Sequence, residues 1–210
     1  MHYFLQGERG VGKSFLLQKM LHPYQKELAG FVVSRLFQSG SSPAPGTVKE
    51  YGMPVGFRVQ NIKDGFPALD IADDGKQSGV FLYQGTRDLS VLVRMMEQVE
   101  QDSQEAACKL ILLDEIGGIE LEQPEFMAPL RRILNGKKPC TGVWKSQQNL
   151  AHMVRCQGLE PVYMERHREL QTVLAGRGEL HTFCDETREQ CERSLETFLD
   201  SLMFSRNDMV

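Results

Sequence analysis

Apolar positions fall into short runs separated by glycine- and proline-rich stretches, and their spacing changes from run to run. Residues 2–6, His-Tyr-Phe-Leu-Gln, form an apolar, aromatic run with glycines directly after it, which predicts a strand. From Lys13 to Leu21 the residues Phe15, Leu16, Leu17, Met20 and Leu21 suit one buried helix face, and His22-Pro23 ends or kinks that helix. The β-branched run from Gly30 to Leu36 predicts a second strand. Gly56 to Ile62 alternates with period two, as a half-exposed strand does, and Val80 to Tyr83 gives another. Between these, residues 38–54 and 64–79 have loop chemistry.

Further along, Asp88 or Ser90 caps a helix whose Leu89, Leu92, Val93 and Met96 fall at i, i+3, i+4 and i+7; the charged cluster 97–105 reads as its solvated end. Leu110-Ile-Leu-Leu113 has no polar face, the mark of a strand covered on both sides in a parallel sheet. Phe126 to Leu134 is a short helix between Pro124 and Gly136. Cys140 to Trp144 reads as a strand and Pro161 to Met164 as a shorter one. Residues 185–204 close the chain as a helix with Leu195, Phe198, Leu199 and Leu202 on one face. Strands alternating with helices predict an α/β fold: a mostly parallel central sheet flanked by helices, in three αβα layers.

A length of 210 residues favours one domain spanning the chain, 1–210. The 41% hydrophobic and 25% charged content excludes a disordered or collagen-like chain. The net charge of −4 supplies no global field for nucleic acid or anionic lipid, so no nucleic-acid partner is expected. The longest apolar run is Leu110–Leu113, too short for a membrane span, and an N-terminal strand starting at His2 leaves no room for a signal peptide. Cys108, Cys140, Cys156, Cys184 and Cys191 are odd in number, with no C-x-x-C pair, which fits a reducing, cytoplasmic setting.

Chemistry concentrates at two places. Gly7, Glu8, Arg9, Gly10, Val11, Gly12, Lys13 and Ser14 match G-x-x-x-x-G-K-[ST] at every position. The glycines let successive backbone N–H groups face one anion, and the helix opening at Lys13, with Phe15 in its first turn, adds its positive end. Lys13 reaches β- and γ-phosphates and the Ser14 hydroxyl ligates Mg²⁺. The second place is the end of the 110–113 run, where Asp114 and Glu115 stand at the carboxyl end of a parallel strand. Asp114 there can hold Mg²⁺, and Glu115 can orient a water in line with a γ-phosphorus. ATP or another nucleoside triphosphate is the expected substrate.

At these residues the chain resembles the cancer-related or thermophile-type nucleoside-triphosphatase family, a small P-loop family, over roughly residues 2–170. Asp114-Glu-Ile-Gly-Gly-Ile-Glu-Leu121 is similar to its D-E-I-G-K-M-E-L stretch, Gly56-Phe57 to its G-F strand, and Phe126 and Arg131 align with a Phe and an Arg of its next helix. The resemblance implies a P-loop NTPase fold and Mg²⁺-dependent hydrolysis of ATP and other nucleoside triphosphates. Lys13 and Ser14 are then the phosphate and metal residues, Asp114 the second metal residue, Glu115 the base, and Arg131 an arginine against the γ-phosphate. Two places depart from the pattern. Gly118 stands where the family has Lys, and Gly142-Val143-Trp144-Lys145-Ser146 replaces a Gly-Thr continuation, so the polar sensor is missing or is taken over by Lys145 or Ser146. A nucleotide or nucleoside kinase and a slow nucleotide-gated switch share the same loop. Segment 97–105 and the C-terminal helix offer docking surfaces for an unspecified protein partner.

Overall fold

The computed structural model describes residues 1–38, 53–63, 65–158 and 162–203. Its strands are β1 (His2–Gln6), β2 (Leu28–Phe37), β3 (Gly56–Asn61), β4 (Asp70–Ala72), β5 (Val80–Tyr83), β6 (Thr86–Arg87), β7 (Leu110–Ile116), β8 (Cys140–Trp144) and β9 (Gly178–Thr182). The α-helices are α1 (Lys13–Leu21), α2 (Ser90–Asp102), α3 (Pro124–Asn135), α4 (Gln147–Gln157), α5 (Val162–Ala175) and α6 (Arg188–Met203).

All nine strands join one sheet in the order β6-β5-β3-β2-β7-β8-β1-β9, with β4 beside the end of β2. From β2 to β9 the neighbours are parallel; β3, β5 and β6 extend the sheet antiparallel. The parallel part is apolar on both faces. Tyr3, Leu5, Leu110 and Leu112 point to one side, with α1 and α6 packed over them through Leu17, Leu21, Leu195 and Phe198. Phe4, Ile111 and Leu113 point to the other, under Met96, Leu130, Leu150 and Leu170 of α2, α3, α4 and α5. The alternation of successive side chains across each strand thus builds the three αβα layers.

Several sequence expectations need correcting. The strand expected at 161–164 is the first turn of α5, whose buried positions Tyr163, His167, Leu170 and Leu174 follow helical spacing; Pro161 itself lies outside the described residues. Neither α4 nor β9 was anticipated. Asp88 and Ser90 do not cap α2 in the usual way: the capping position is Leu89, while Asp88 accepts from the Ser90 backbone and hydroxyl. Asp102, placed in a solvated cluster by composition, is buried and takes hydrogen bonds from Asn61 and Gln98. Most of the expected loop 38–54, and Phe204 of the expected last helix, lie outside the described residues.

Candidate nucleotide site

The carboxyl edge of the parallel strands brings three segments together. The phosphate loop follows β1, Asp114 and Glu115 stand near the end of β7, and Lys145 follows β8, which lies between those two strands. The loop needs its glycines. Gly12 precedes α1 in a left-handed conformation (φ 99°), and a Cβ at Gly7 (φ 149°) would stand 2.3 Å from the Phe183 carbonyl oxygen. No side chain caps α1 and no acidic residue stands in its first turn.

Lys13 is buried, and its ammonium donates to the loop's own carbonyls, Gly7 at 3.2 Å and Glu8 at 2.5 Å. Burial lowers its pKa, and the Glu115 and Asp114 charges oppose that shift. The Ser14 hydroxyl donates to Asp114 Oδ1 at 3.0 Å, 100 residues away in sequence. Asp114 is 2% exposed. Burial pushes its carboxyl up to about 7 despite the Ser14 bond, and the neighbouring Glu115 charge adds to the rise. Glu115 is more open and pairs with Lys145 Nζ at 3.1 Å. Glu8, Arg9, Gly10 and Phe15 are exposed, and Phe15 at 65% is among the most exposed apolar side chains described; Val11 packs partly into the core under α1.

Several residues at the site were not singled out by sequence. Glu120 is buried and accepts from the backbone N–H groups of Gly117 and Gly118, holding the turn after β7. Asn149 donates from Nδ2 to the Gly7 carbonyl at 3.0 Å, tying α4 to the loop. Arg188, at the start of α6, donates to the Val11 carbonyl at 3.2 Å and lies 5.0 Å from the Phe183 ring centroid. Glu120 lies within the Asp114–Leu121 stretch and bonds its near neighbours, whereas Asn149 and Arg188 have no local signature and are placed by segments far apart in sequence. Of the two residues left open as a polar sensor, Ser146 spends its hydroxyl on the Asn149 N–H as the N-cap of α4, while Lys145 faces Glu115.

One other expected residue, Arg131, lies elsewhere. Arg131 pairs with Glu169 at 2.7 Å, one turn of α3 before Leu134, whose carbonyl bonds His2 at the start of β1. That is the opposite edge of the sheet from the phosphate loop, so Arg131 is not brought to the site. Arg35 is engaged by Asp70 and Arg58 by Asp74. Trp144 is fully buried in the core, with its ring 4.4 Å from that of His167.

A phosphate loop opening a helix at the carboxyl edge of a parallel sheet, facing a serine–aspartate contact, defines a P-loop NTPase fold. The family model described as NTPase matches residues 2–169, and the chain belongs to that family. It is 29% identical over 156 residues to nucleoside-triphosphatase THEP1 of Ignicoccus hospitalis, covering 72% of this chain and 82% of that protein. It is 27% identical over 141 residues to nucleoside-triphosphatase THEP1 of Thermofilum pendens, covering 66% and 70%. Among solved structures, THEP1 from the hyperthermophile Aquifex aeolicus matches at a TM-score of 0.57 and 18% identity, over 95% of this chain and 99% of that one. A human cancer-related nucleoside triphosphatase matches at 0.58 and 18%, over 98% and 99%. These two likenesses are of fold. Among the described residues no helix is long and apolar enough to cross a membrane.

Proposed function

We propose that this chain is a Mg²⁺-dependent nucleoside triphosphatase that hydrolyses ATP and other nucleoside triphosphates to the diphosphate and inorganic phosphate. The observation that carries the reading is the 3.0 Å contact of Ser14 with Asp114 beside Lys13, with Glu115 next in the chain. The name nucleoside-triphosphatase borne by both curated relatives supports hydrolysis over transfer to an acceptor.

The residues present suit Mg²⁺. Ser14 and Asp114 offer hard oxygen donors, and a carboxyl whose ionisation burial opposes gains from a cation beside it. Ser14 and Asp114 would hold the ion, which when bound offsets charge on the phosphate oxygens. Lys13 exchanges the Gly7 and Glu8 carbonyls for β- and γ-phosphate oxygens, and the free N–H groups at the start of α1 orient the triphosphate. Glu115 accepts a proton from a water as its oxygen bonds to the γ-phosphorus; the β–γ bridging bond breaks and the diphosphate leaves with that bond's electron pair. The reading takes residues 1–210 as one domain, supported by the pairing of β9 with β1 and the packing of α6 on α1. Five free thiols support a reducing, cytoplasmic setting.

The test is release of inorganic phosphate from ATP, GTP, CTP and UTP with and without Mg²⁺. Glu115→Gln should abolish turnover and keep nucleotide affinity, whereas Lys13→Ala should lose binding, by about 100-fold or more. Normal affinity in Lys13→Ala would overturn the phosphate-loop reading. Phosphate appearing on an added acceptor in place of free phosphate would assign a kinase.

A further inference from the structure

Lys145 enters the site from β8, between the phosphate loop and the two carboxylates, and its root is fixed on both sides. Its N–H donates to the Ile116 carbonyl at 2.8 Å, and its own carbonyl accepts from His167 Nε2 at 2.7 Å. The side chain is 18% exposed and lies along the turn at Gly117 and Gly118. Its ammonium ends 3.1 Å from Glu115 Oε1. Glu115 is next in the chain to the buried Asp114, and its charge adds to the rise of the Asp114 carboxyl. A lysine whose backbone is held at both ends thus fixes where the Glu115 carboxylate stands.

The path of the lysine depends on its neighbour. A Cβ at Gly118 would stand 2.8 Å from Lys145 Cε and 3.0 Å from Glu120 Oε2. The first atom is near the end of a flexible chain, so a side chain at 118 would push the ammonium aside before it disturbed the turn.

We propose that Lys145 is the positioning residue for Glu115, and that Gly118 supplies the space in which it does so. This rests on the reading of Glu115 as the group that activates water. It assigns the departure at 118 a purpose: the positive charge missing there is delivered from β8.

The experiment measures kcat and KM for Mg²⁺-ATP in the full chain for Lys145→Ala, Gly118→Ala, their double variant and Glu115→Gln, with thermal midpoints as a check on folding. Lys145→Ala should lower kcat by about 10-fold or more while KM stays within about 3-fold. Gly118→Ala should fold normally and lose kcat by displacing the lysine. The double variant should match Lys145→Ala within about 2-fold, because the two changes act through one contact. Unchanged or raised kcat in Lys145→Ala, beside an inactive Glu115→Gln, overturns the proposal and leaves the base assignment standing. Losses that multiply in the double variant overturn the part assigned to Gly118. Turnover retained in Glu115→Gln overturns the base assignment and this proposal with it.

Discussion

Asp114 is a costly side chain to place where it is. It is almost fully buried, and burial carries its carboxyl up to about 7 although Ser14 donates to it and Lys13 stands near. A group held against such opposition serves what it binds more than the fold. Asp114→Asn keeps the shape and still accepts from Ser14, but removes the charge. We expect it to abolish Mg²⁺-dependent turnover and to stabilise the nucleotide-free protein by on the order of 1 kcal/mol, a rise of about 2–4 °C in thermal midpoint. A scan without Mg²⁺ or nucleotide checks this, and a lower midpoint would contradict it. Asp114 was legible in sequence because an apolar run that ends abruptly in acids announces a strand end. The phosphate loop was legible because its residues are contiguous. Lys145 could be narrowed only to a pair with Ser146; the choice needed the start of α4, where Ser146 is consumed as a cap. Asn149 and Arg188 reach the loop from 142 and 177 residues away, distances that no local pattern encodes.

Among the elements, α5 hides its helical nature in the sequence for a physical reason. Val162, Tyr163 and Met164 have the composition of a strand, and the charged residues after them hide the helical period. That period becomes visible once His167 is counted as buried, since it continues through Tyr163, His167, Leu170 and Leu174. A histidine reads as polar in sequence but is fully enclosed here, against Trp144. β9 escaped notice because it is a short edge strand with one partner, β1, and no fully buried residue. The last helix was legible, and its face is integral to the core. Leu195, Phe198 and Leu199 are buried, the Tyr3 ring lies 5.5 Å from that of Phe198, and Tyr3 Oη donates to the Cys191 carbonyl. Leu195→Ala should therefore cost about 2–4 kcal/mol in urea unfolding, the range of a core leucine. A cost below about 1 kcal/mol would mark α6 as a detachable appendage.

At the scale of the whole molecule, the two edges of the sheet are built differently. The layers were legible from the unbroken apolar character of 110–113, but the order β2-β7-β8-β1-β9 was not, because parallel pairing joins segments across long connections. The carboxyl edge carries the uncapped helix and the paired carboxylates. The opposite edge is closed by His2, whose Nε2 donates to the Leu134 carbonyl at 2.8 Å while Nδ1 accepts from the Cys140 N–H at 3.0 Å. One ring nitrogen must carry a proton and the other must not, so the fold requires neutral imidazole. Burial lowers the pKa of His2 below 6.5, aided by the nearby N-terminal amine and Arg177 and opposed by the Leu134 bond. Burial also lowers that of His167, against its bond to Lys145. In the unfolded chain both rings take up protons as pH falls through about 6.5, while in the folded protein they resist. At these two rings the unfolded state therefore binds more protons in that window, a contribution that costs stability as pH drops from about 7 toward 5. The buried carboxyls of Asp114 and Glu120, both raised by burial, take up protons in the folded state and work the other way. NMR titration should find both rings more than half neutral in folded protein at pH 6.5. A ring titrating at or above that value would remove its histidine from the account.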